Sequence, residues 1–194
     1  MISYPVFGYE KMKSGLQSRM SIRFKELFKN RGYTLREYKH VDDLKMDVYS
    51  GVNGDGEKIT LLFNLTPKFN VRTAEICIDY IQEKKVYHTI IVYKEVITCF
   101  ARKVLDNLAL NLVEHFPCKE LEINILTHAM QPKKFVKVVG DEASLILKKW
   151  GDNLPKMFTT DPVSRYLAFK NGDLIEIHRK DDTIVYRKVT SPRV

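Results

Sequence analysis

The middle of the sequence alternates between two kinds of hydrophobic pattern. Residues 59–65 and 87–93 are apolar runs rich in β-branched and aromatic side chains, and such runs predict buried strands. Each run is followed by apolar residues at helical spacing, with Thr73 and Thr98 as the predicted helix caps. Alternating strands and helices are typical of a parallel or mixed sheet with crossover helices. Residues 1–126 are therefore predicted to form an α/β domain around such a mixed sheet.

Three more elements are predicted in the same domain. Residues 16–28 carry one apolar face at helical spacing, and Gly32 is the predicted end of that helix. Asp42 and Asp43 predict the start of a shorter helix, because acidic side chains cap and favour helix N-termini. Residues 121–126 alternate in polarity and predict a further strand.

A different pattern begins after residue 126 and predicts a small α+β domain over residues 127–194. Asp161-Pro162 is a strong helix start, with Asp as the N-cap and Pro at the first helical position. Residues 174–179 alternate apolar and polar side chains, and residues 184–189 are the predicted partner strand of a hairpin.

The composition limits the chemistry of the chain. There are 32 Lys and Arg against 24 Asp and Glu, a net charge of +8, which favours a polyanion such as nucleic acid as a partner. No apolar run of about 18 residues is present, so no membrane-spanning helix is predicted. Cys77, Cys99 and Cys118 are far apart, which argues against a disulfide framework or a zinc site. We therefore expect no metal and no cofactor.

The sequence carries none of the common motifs for nucleotide binding, serine hydrolysis or zinc proteolysis. One enzymatic alternative stays open. Restriction-type nucleases hold Mg²⁺ with an acidic residue and a Glu-x-Lys on a strand of an α/β sheet. The chain contains Glu37-x-Lys39, predicted in a connector, and Glu83-x-Lys85, predicted at a helix end. A stand-alone α/β nuclease-like DNA-processing enzyme is therefore the alternative hypothesis.

Basic residues follow the predicted cap at Thr98. A predicted strand runs directly into a helix N-terminus there, whose free N–H groups can bind phosphate. Arg102 and Lys103 lie one turn further on. Thr98, Arg102 and Lys103 are predicted to lie near DNA, in a contact with the phosphates that is indifferent to base sequence. The alternative interpretation is an ordinary capped helix with solvated charges.

One stretch of the C-terminal domain resembles a known family. Residues 161–177 read DPVSRYLAFKNGDLIEI, after the pair Leu154-Pro155 and before Tyr186-Arg187. This arrangement resembles the assembly domain of the fifth subunit shared by eukaryotic nuclear RNA polymerases, a family whose archaeal members lack the N-terminal jaw domain. Upstream, residues 30–33 and 80–98 are similar to that jaw domain, the part that forms the lower jaw of the polymerase. The resemblance covers nearly the whole chain and is strongest over residues 154–188.

The resemblance implies a non-catalytic subunit of a multisubunit DNA-dependent RNA polymerase. Residues 127–194 would dock on the largest subunit and a neighbouring small subunit, and residues 1–126 would form a jaw near downstream duplex DNA. No membrane and no small-molecule substrate are implied. The location would be the nucleus, or a virion or cytoplasmic virus factory for a homologue from a large DNA virus. The positions that map to the assembly motif are Pro155, Asp161, Pro162, Tyr166, Gly172, Arg179 and Arg187.

Several of these positions also have a structural interpretation. Asp161 is expected to cap a helix, Pro162 to preset φ, and Gly172 to relieve a turn. Arg179, Arg187 and Tyr166 are the stronger candidates for partner contact, because Arg and Tyr are enriched at interfaces. A regulator that binds polymerase only transiently is a further alternative.

The sequence departs from the family pattern at a few positions. The family's glycine after the Tyr-Leu pair is Ala168, and its histidine after Pro-Lys is Lys134. Cys99-Phe100 stands where the family has a small, proline-bearing loop of the jaw.

Overall fold

Residues 15–42, 45–107 and 112–192 are described by a computed structural model of the protein. The chain divides into an N-terminal unit, Met1–Ile123, and a C-terminal unit, Asn124–Val194. The boundary predicted at residue 127 falls at the end of a short 3-10 helix, Ile125–Thr127. In the described ranges, the helices are all too short or too polar to cross a membrane.

The N-terminal unit contains four helices and seven strands within its described residues. In chain order these are α1 (Gly15–Asn30), β1 (Thr34–Val41), β2 (Met46–Val52), β3 (Lys58–Asn64), β4 (Lys68–Phe69), α2 (Val71–Glu83), β5 (His88–Tyr93), β6 (Val96–Ile97), α3 (Cys99–Asp106), β7 (Leu112–Pro117) and α4 (Cys118–Leu121).

Five strands form the main sheet of this unit, in the order β1-β2-β3-β5-β7. Strands β1, β2 and β3 are antiparallel neighbours, whereas β3, β5 and β7 are parallel. Helix α2 connects β3 to β5 and helix α3 connects β5 to β7. The predicted mixed sheet with crossover helices is confirmed.

Helices α2 and α3 pack on one face of this sheet. Cys77 of α2 and Leu105 of α3 belong to one buried cluster with Val48, Leu62 and Ile91 of the strands. All five side chains are almost fully excluded from solvent. Burial of apolar surface on this scale is the dominant favourable term in folding, at about 25 cal/mol per Å².

Helix α1 packs on the opposite face. Tyr49 and Phe63 project there, because each is a sequence neighbour of a strand residue in the first cluster. The Phe24 ring meets both edge-on, with centroids 5.2 Å from Tyr49 and 5.3 Å from Phe63. At Gly51 the helix approaches so closely that a Cβ atom would lie 2.6 Å from the ring of Phe28.

Glu114 of β7 links three elements of this unit. The guanidinium of Arg31, just beyond α1, donates two hydrogen bonds to its carboxylate, at 2.7 and 2.8 Å. A ring nitrogen of His88, at the start of β5, lies 2.7 Å from the same carboxylate. Burial would raise the pKa of Glu114, but the His88 hydrogen bond and the charge of Arg31 outweigh burial and lower it to about 2.

A second carboxylate, Asp47 of β2, is fully buried. Its oxygens accept hydrogen bonds from the Tyr38 hydroxyl at 2.9 Å and from the Gln17 amide at 3.3 Å, and a ring nitrogen of His40 lies at 2.6 Å. These partners offset the cost of burying the group. They also attach β1 and α1 to β2.

The short helix predicted to start at Asp42 and Asp43 falls largely on residues outside the described ranges. Asp42 itself has 3-10 helical geometry, and strand β2 begins at Met46. A different predicted element of this unit is wrong. The strand predicted over 121–126 is replaced by α4 and the 3-10 helix Ile125–Thr127. The strand that neighbours β5 lies earlier in the chain: it is β7, whose residues pair in parallel with those of β5.

Helix boundaries also differ in detail. The apolar spacing behind Thr98 extends in the sequence to Leu108 and Leu112, but α3 ends at Asp106. Leu112 begins β7, and Leu108 lies outside the described residues. The cap of α2 is Asn70, whose side chain accepts a hydrogen bond from the backbone N–H of Thr73, the predicted cap.

The C-terminal unit is built on a four-stranded sheet in the order β8-β10-β11-β9. Strands β10 and β11 form the predicted antiparallel hairpin, which is confirmed, and β9 lies parallel to β11. The elements are β8 (Lys134–Val138), α5 (Gly140–Trp150), β9 (Lys156–Phe158), α6 (Pro162–Tyr166), β10 (Leu174–His178) and β11 (Ile184–Thr190).

Each face of this sheet has its own apolar cluster. Leu174 packs with Ile146 and Leu147 of α5 on one face. Ile175 and Ile177 lie on the other face. The unit therefore has the α+β organisation that the sequence predicts.

Helix α6 ends in a Schellman motif with an alanine where glycine is usual. The N–H of Phe169 donates to the carbonyl of Ser164 at 2.9 Å, and the N–H of Ala168 donates to Arg165 at 3.2 Å. This geometry puts Ala168 at φ +57°. A left-handed conformation costs a residue with a Cβ atom about 1–2 kcal/mol.

Replacing Ala168 with glycine is expected to stabilise the C-terminal unit by roughly 0.5–1 kcal/mol, because the relief of strain exceeds the added freedom of the unfolded chain. Trp150 is the sole tryptophan and lies in this unit. Its fluorescence during urea unfolding measures the change. Ala143→Gly, within α5, is the control and should destabilise by about 1 kcal/mol. A loss of stability in Ala168→Gly would contradict the expectation.

Acid is expected to destabilise the N-terminal unit through Glu114. Its pKa is about 2 in the folded state against an ordinary value of 4.5. Stability should therefore fall as the pH drops from 4.5 to about 2, by up to about 3 kcal/mol. Glu114→Gln lacks this titration, so the gap in unfolding free energy between parent and variant should narrow in acid. Hydrogen exchange of β5 and β7 amides measures the gap, and a gap independent of pH would refute the assignment.

Candidate functional surfaces

The predicted cap at Thr98 is confirmed, and the structure explains how it is positioned. Strand β6 pairs in parallel with β4, and the N–H of Thr98 donates to the carbonyl of Phe69 at 3.0 Å. The Thr98 hydroxyl accepts a hydrogen bond from the N–H of Ala101 at 3.3 Å. Since α2 begins directly after β4, as α3 does after β6, the two helices begin side by side.

Arg102 and Lys103 are exposed on the first turns of α3. Neither side chain forms an ion pair with a carboxylate in the parts of the chain that the structure describes. Apolar side chains accompany them: Phe100 is 72% exposed and Val96 is 61% exposed. The three residues predicted near DNA are therefore together at one end of the unit.

One of the two Glu-x-Lys triplets lies where the sequence predicts, and the other does not. Glu37 and Lys39 are in strand β1 and not in a connector, which corrects that prediction. Glu83 ends α2, as predicted, and its carboxylate pairs with the adjacent Lys84 at 2.6 Å. The described residues contain no group of three or more His, Cys, Asp or Glu side chains arranged to hold a metal ion.

Four of the predicted assembly positions have clear local roles. The Asp161 carboxylate accepts a hydrogen bond from the N–H of Val163 at 2.9 Å, and Pro162 is the first residue of α6. Gly172 has φ +94°, which favours glycine. The carbonyl of Pro155 accepts from the N–H of Lys188 at 3.1 Å.

The other three positions differ in accessibility. The side chain of Tyr166 is buried, with 4% exposed. Arg179 is exposed beside the hairpin turn. Arg187 is half-buried on β11 and pairs in register with Ile175, on the face that carries Ile177. It forms no ion pair within the described residues.

The fold separates these two arginines. Arg187 lies opposite Ile175, and Arg179 lies four positions further along the same strand direction, about 13 Å away at the usual rise. Pro155 and Gly172 lie near Arg187, since their hydrogen bonds reach Lys188 and Val189 of β11. Any single partner surface that contacts both arginines must span the length of the hairpin.

One surface feature, a pocket beside α1, is not predicted from the sequence. It is lined by Ile22 and Arg19 of α1 and by Ile123. The sequence does contain one signal of this pocket: Ile22 is an apolar residue of α1 that lies outside the apolar face formed by Met20 and Phe24. The other isoleucine of the pocket, Ile123, is exposed. It falls within a stretch predicted as a strand, where no exposed apolar side chain is expected.

Comparison with known proteins finds similarity over the C-terminal unit and beyond it. Residues 123–189 match the family model described as RNA polymerase Rpb5, C-terminal domain. The DNA-directed RNA polymerases I, II and III subunit RPABC1 of Caenorhabditis elegans is 29% identical over 140 residues, which cover 69% of this chain. The subunit of Dictyostelium discoideum is 29% identical over 140 residues, 68% of this chain and 71% of its own length. The match spans 66% of the nematode subunit, just under two thirds of its length.

Likeness to solved structures is weak. A repair endonuclease from Pyrococcus abyssi has a TM-score of 0.37 and 18% identity, over 57% of this chain and 49% of that protein. The apo form of EndoMS has a TM-score of 0.35 and 16% identity, over 50% of this chain and 46% of that protein.

The relatives found by sequence are named as subunits of DNA-directed RNA polymerases I, II and III, and they agree with the resemblance at residues 154–188. Residues 123–189 are therefore similar to the Rpb5 C-terminal domain, and 69% of the chain is similar to RNA polymerase subunits named RPABC1.

Proposed function

We propose that the chain is a non-catalytic subunit of a multisubunit DNA-dependent RNA polymerase and acts in the nucleus. The observation that carries the proposal is the family match over residues 123–189, which coincides with the C-terminal unit Asn124–Val194. The alternative nuclease hypothesis has no family match of this kind, and the described residues contain no group of three or more His, Cys, Asp or Glu side chains arranged to hold a metal ion.

In this proposal the C-terminal unit is the assembly domain and docks on the largest polymerase subunit and a neighbouring small subunit. Arg187 supports the assignment. Its guanidinium has no carboxylate partner in the described part of the chain, and its stem lies on an apolar sheet face beside Ile175. An arginine of this kind is suited to a carboxylate or carbonyl on a partner. Arg179, at the other end of the hairpin, offers a second contact.

The N-terminal unit is proposed as a jaw near downstream duplex DNA. Arg102 and Lys103 are exposed, and Thr98 positions the helix on which they lie. Such side chains contact phosphates without reading the bases. The contact is expected to depend strongly on salt, because binding releases counterions from the DNA.

The proposal is tested by affinity purification of the tagged full chain from its native source, with quantitative mass spectrometry. Near-equimolar recovery of the two largest polymerase subunits is expected. Recovery of the chain alone would contradict the proposal. Purified chain should also leave duplex DNA intact in the presence of Mg²⁺, and nicking that Glu37→Gln abolishes would favour the nuclease alternative.

Arg187→Ala is expected to weaken incorporation into polymerase by tenfold or more, as roughly 1.4–2 kcal/mol is lost at an interface arginine. The readout is the ratio of this chain to the largest subunit after purification from cells that express both parent and variant. Lys148→Ala, an exposed lysine of α5, is the matched control and should incorporate normally. Trp150 fluorescence verifies that the variant is folded. Equal incorporation of the Arg187→Ala and Lys148→Ala variants would show that Arg187 does not lie in the interface.

The double variant Arg102→Ala, Lys103→Ala is expected to incorporate normally but to weaken DNA binding by the assembled polymerase. Each lost phosphate contact should reduce the slope of log K against log salt by about 0.9. Lys148→Ala, Lys149→Ala is the control with the same charge change. Loss of the Arg102→Ala, Lys103→Ala variant from the complex would contradict the proposal that the two units have separate roles. An unchanged slope of log K against log salt would show that these residues do not contact DNA.

A further inference from the structure

A pocket of about 280 Å³ opens where α1 packs against the end of α4 in the N-terminal unit. Its lining residues are Arg19, Met20, Ile22, Arg23, Glu122 and Ile123. Helix α1 covers the sheet face opposite α2 and α3. The pocket is therefore separate from the surface that carries Arg102 and Lys103.

The apolar part of the pocket is accessible. Met20 is fully buried, whereas Ile22 is 56% exposed and Ile123 is 67% exposed. An apolar cavity of about 150 Å³ is large enough to hold benzene. The pocket thus has room for one aromatic or two aliphatic side chains, and filling it would remove two exposed isoleucines from water.

The rim of the pocket is fixed by Arg23. Its Nε–H donates to the carbonyl of Glu122 at 2.9 Å, and its guanidinium pairs with Glu26 at 3.0 Å. These contacts hold the chain at Glu122 against α1 and neutralise Arg23. The pocket is consequently formed before any ligand binds, which lowers the entropic cost of binding.

Arg19, the other arginine of the pocket, is available to bind a ligand. Its side chain is exposed and has no hydrogen bond or ion pair within the described residues. Glu122 also lines the pocket. A polypeptide can satisfy both charges, since it offers side-chain carboxylates to Arg19 and backbone N–H groups to Glu122. A nucleic acid does not match this arrangement, because Glu122 repels its phosphates.

We propose that this pocket binds a polypeptide segment of another component of the polymerase. An aliphatic or aromatic side chain of that segment fills the pocket, and a carboxylate within a few residues of it pairs with Arg19. The inference rests on the proposed function, because it takes the partner from the polymerase assembly. It adds a protein contact on the N-terminal unit to the contacts proposed for the C-terminal unit.

The test uses the full chain carrying the photo-crosslinker p-benzoylphenylalanine at Ser18, an exposed position one turn from Ile22. Polymerase is purified through its largest subunit, irradiated, and digested for mass spectrometry. The expected product joins Ser18 to another polymerase subunit, at a segment in which an apolar residue lies close to Asp or Glu. A crosslinker at Leu145, which is 68% exposed on α5, is the positional control and should not reach that segment.

Second-site variants connect the product to the pocket. Arg19→Glu and Ile123→Ser should each lower the crosslink yield at least fivefold, whereas Lys29→Glu, an exposed charge reversal on the same helix, should not. A product within this chain, a product with DNA, a basic target segment, or no product would each overturn the inference while polymerase association stands. Failure to recover the chain with polymerase at all would instead overturn the proposed function and this inference with it.

Discussion

Parallel pairing of β3, β5 and β7 is the constraint on which the N-terminal unit depends. Parallel neighbours cannot be joined by a tight turn, so the chain must cross the sheet between them, and it does so through α2 and α3. Both helices cover the same face, and a parallel sheet needs cover on the other face as well. Helix α1 supplies it, and the absence of a side chain at Gly51 lets Phe28 approach. The position of Arg102 and Lys103 follows, because α3 begins where the chain leaves β5 and β6.

Sequence patterns predict the strands buried on both faces and miss those whose polar residues are paired through tertiary contacts. Residues of β3 and β5 form continuous apolar runs, which indicate strands directly. Strand β7 contains Glu114, a residue that belongs in a buried strand only because Arg31 and His88 bind it. Asp47 likewise belongs in the buried strand β2 only because distant residues bind it: Tyr38 and Gln17 donate hydrogen bonds to its carboxylate. Such partners are distant in sequence, and no local pattern reveals them.

The same distinction applies to the candidate functional residues. Thr98, Asp161 and Pro162 act on the backbone within a few residues of themselves, so their structural roles are predictable from local sequence. The setting of Arg187 depends on which strand pairs with β11 and which face it shares with Ile175. The pocket beside α1 depends on how the segment at Ile123, wrongly predicted as a strand, folds back on that helix. Neither arrangement is encoded at short range.

The two units constrain their sequences in different ways. In the C-terminal unit, single backbone positions restrict the residue type: Asp161 caps a helix, Gly172 has φ +94°, and Ala168 occupies a left-handed position. Few other residues satisfy such conditions. The core of the N-terminal unit requires apolar side chains of suitable volume, and many combinations meet that requirement. A sequence can therefore diverge further in the N-terminal unit while keeping the same sheet. Ala168 shows that even a restricted position accepts a residue that costs stability, provided that the hydrogen bonds of Phe169 and Ala168 to the end of α6 are kept.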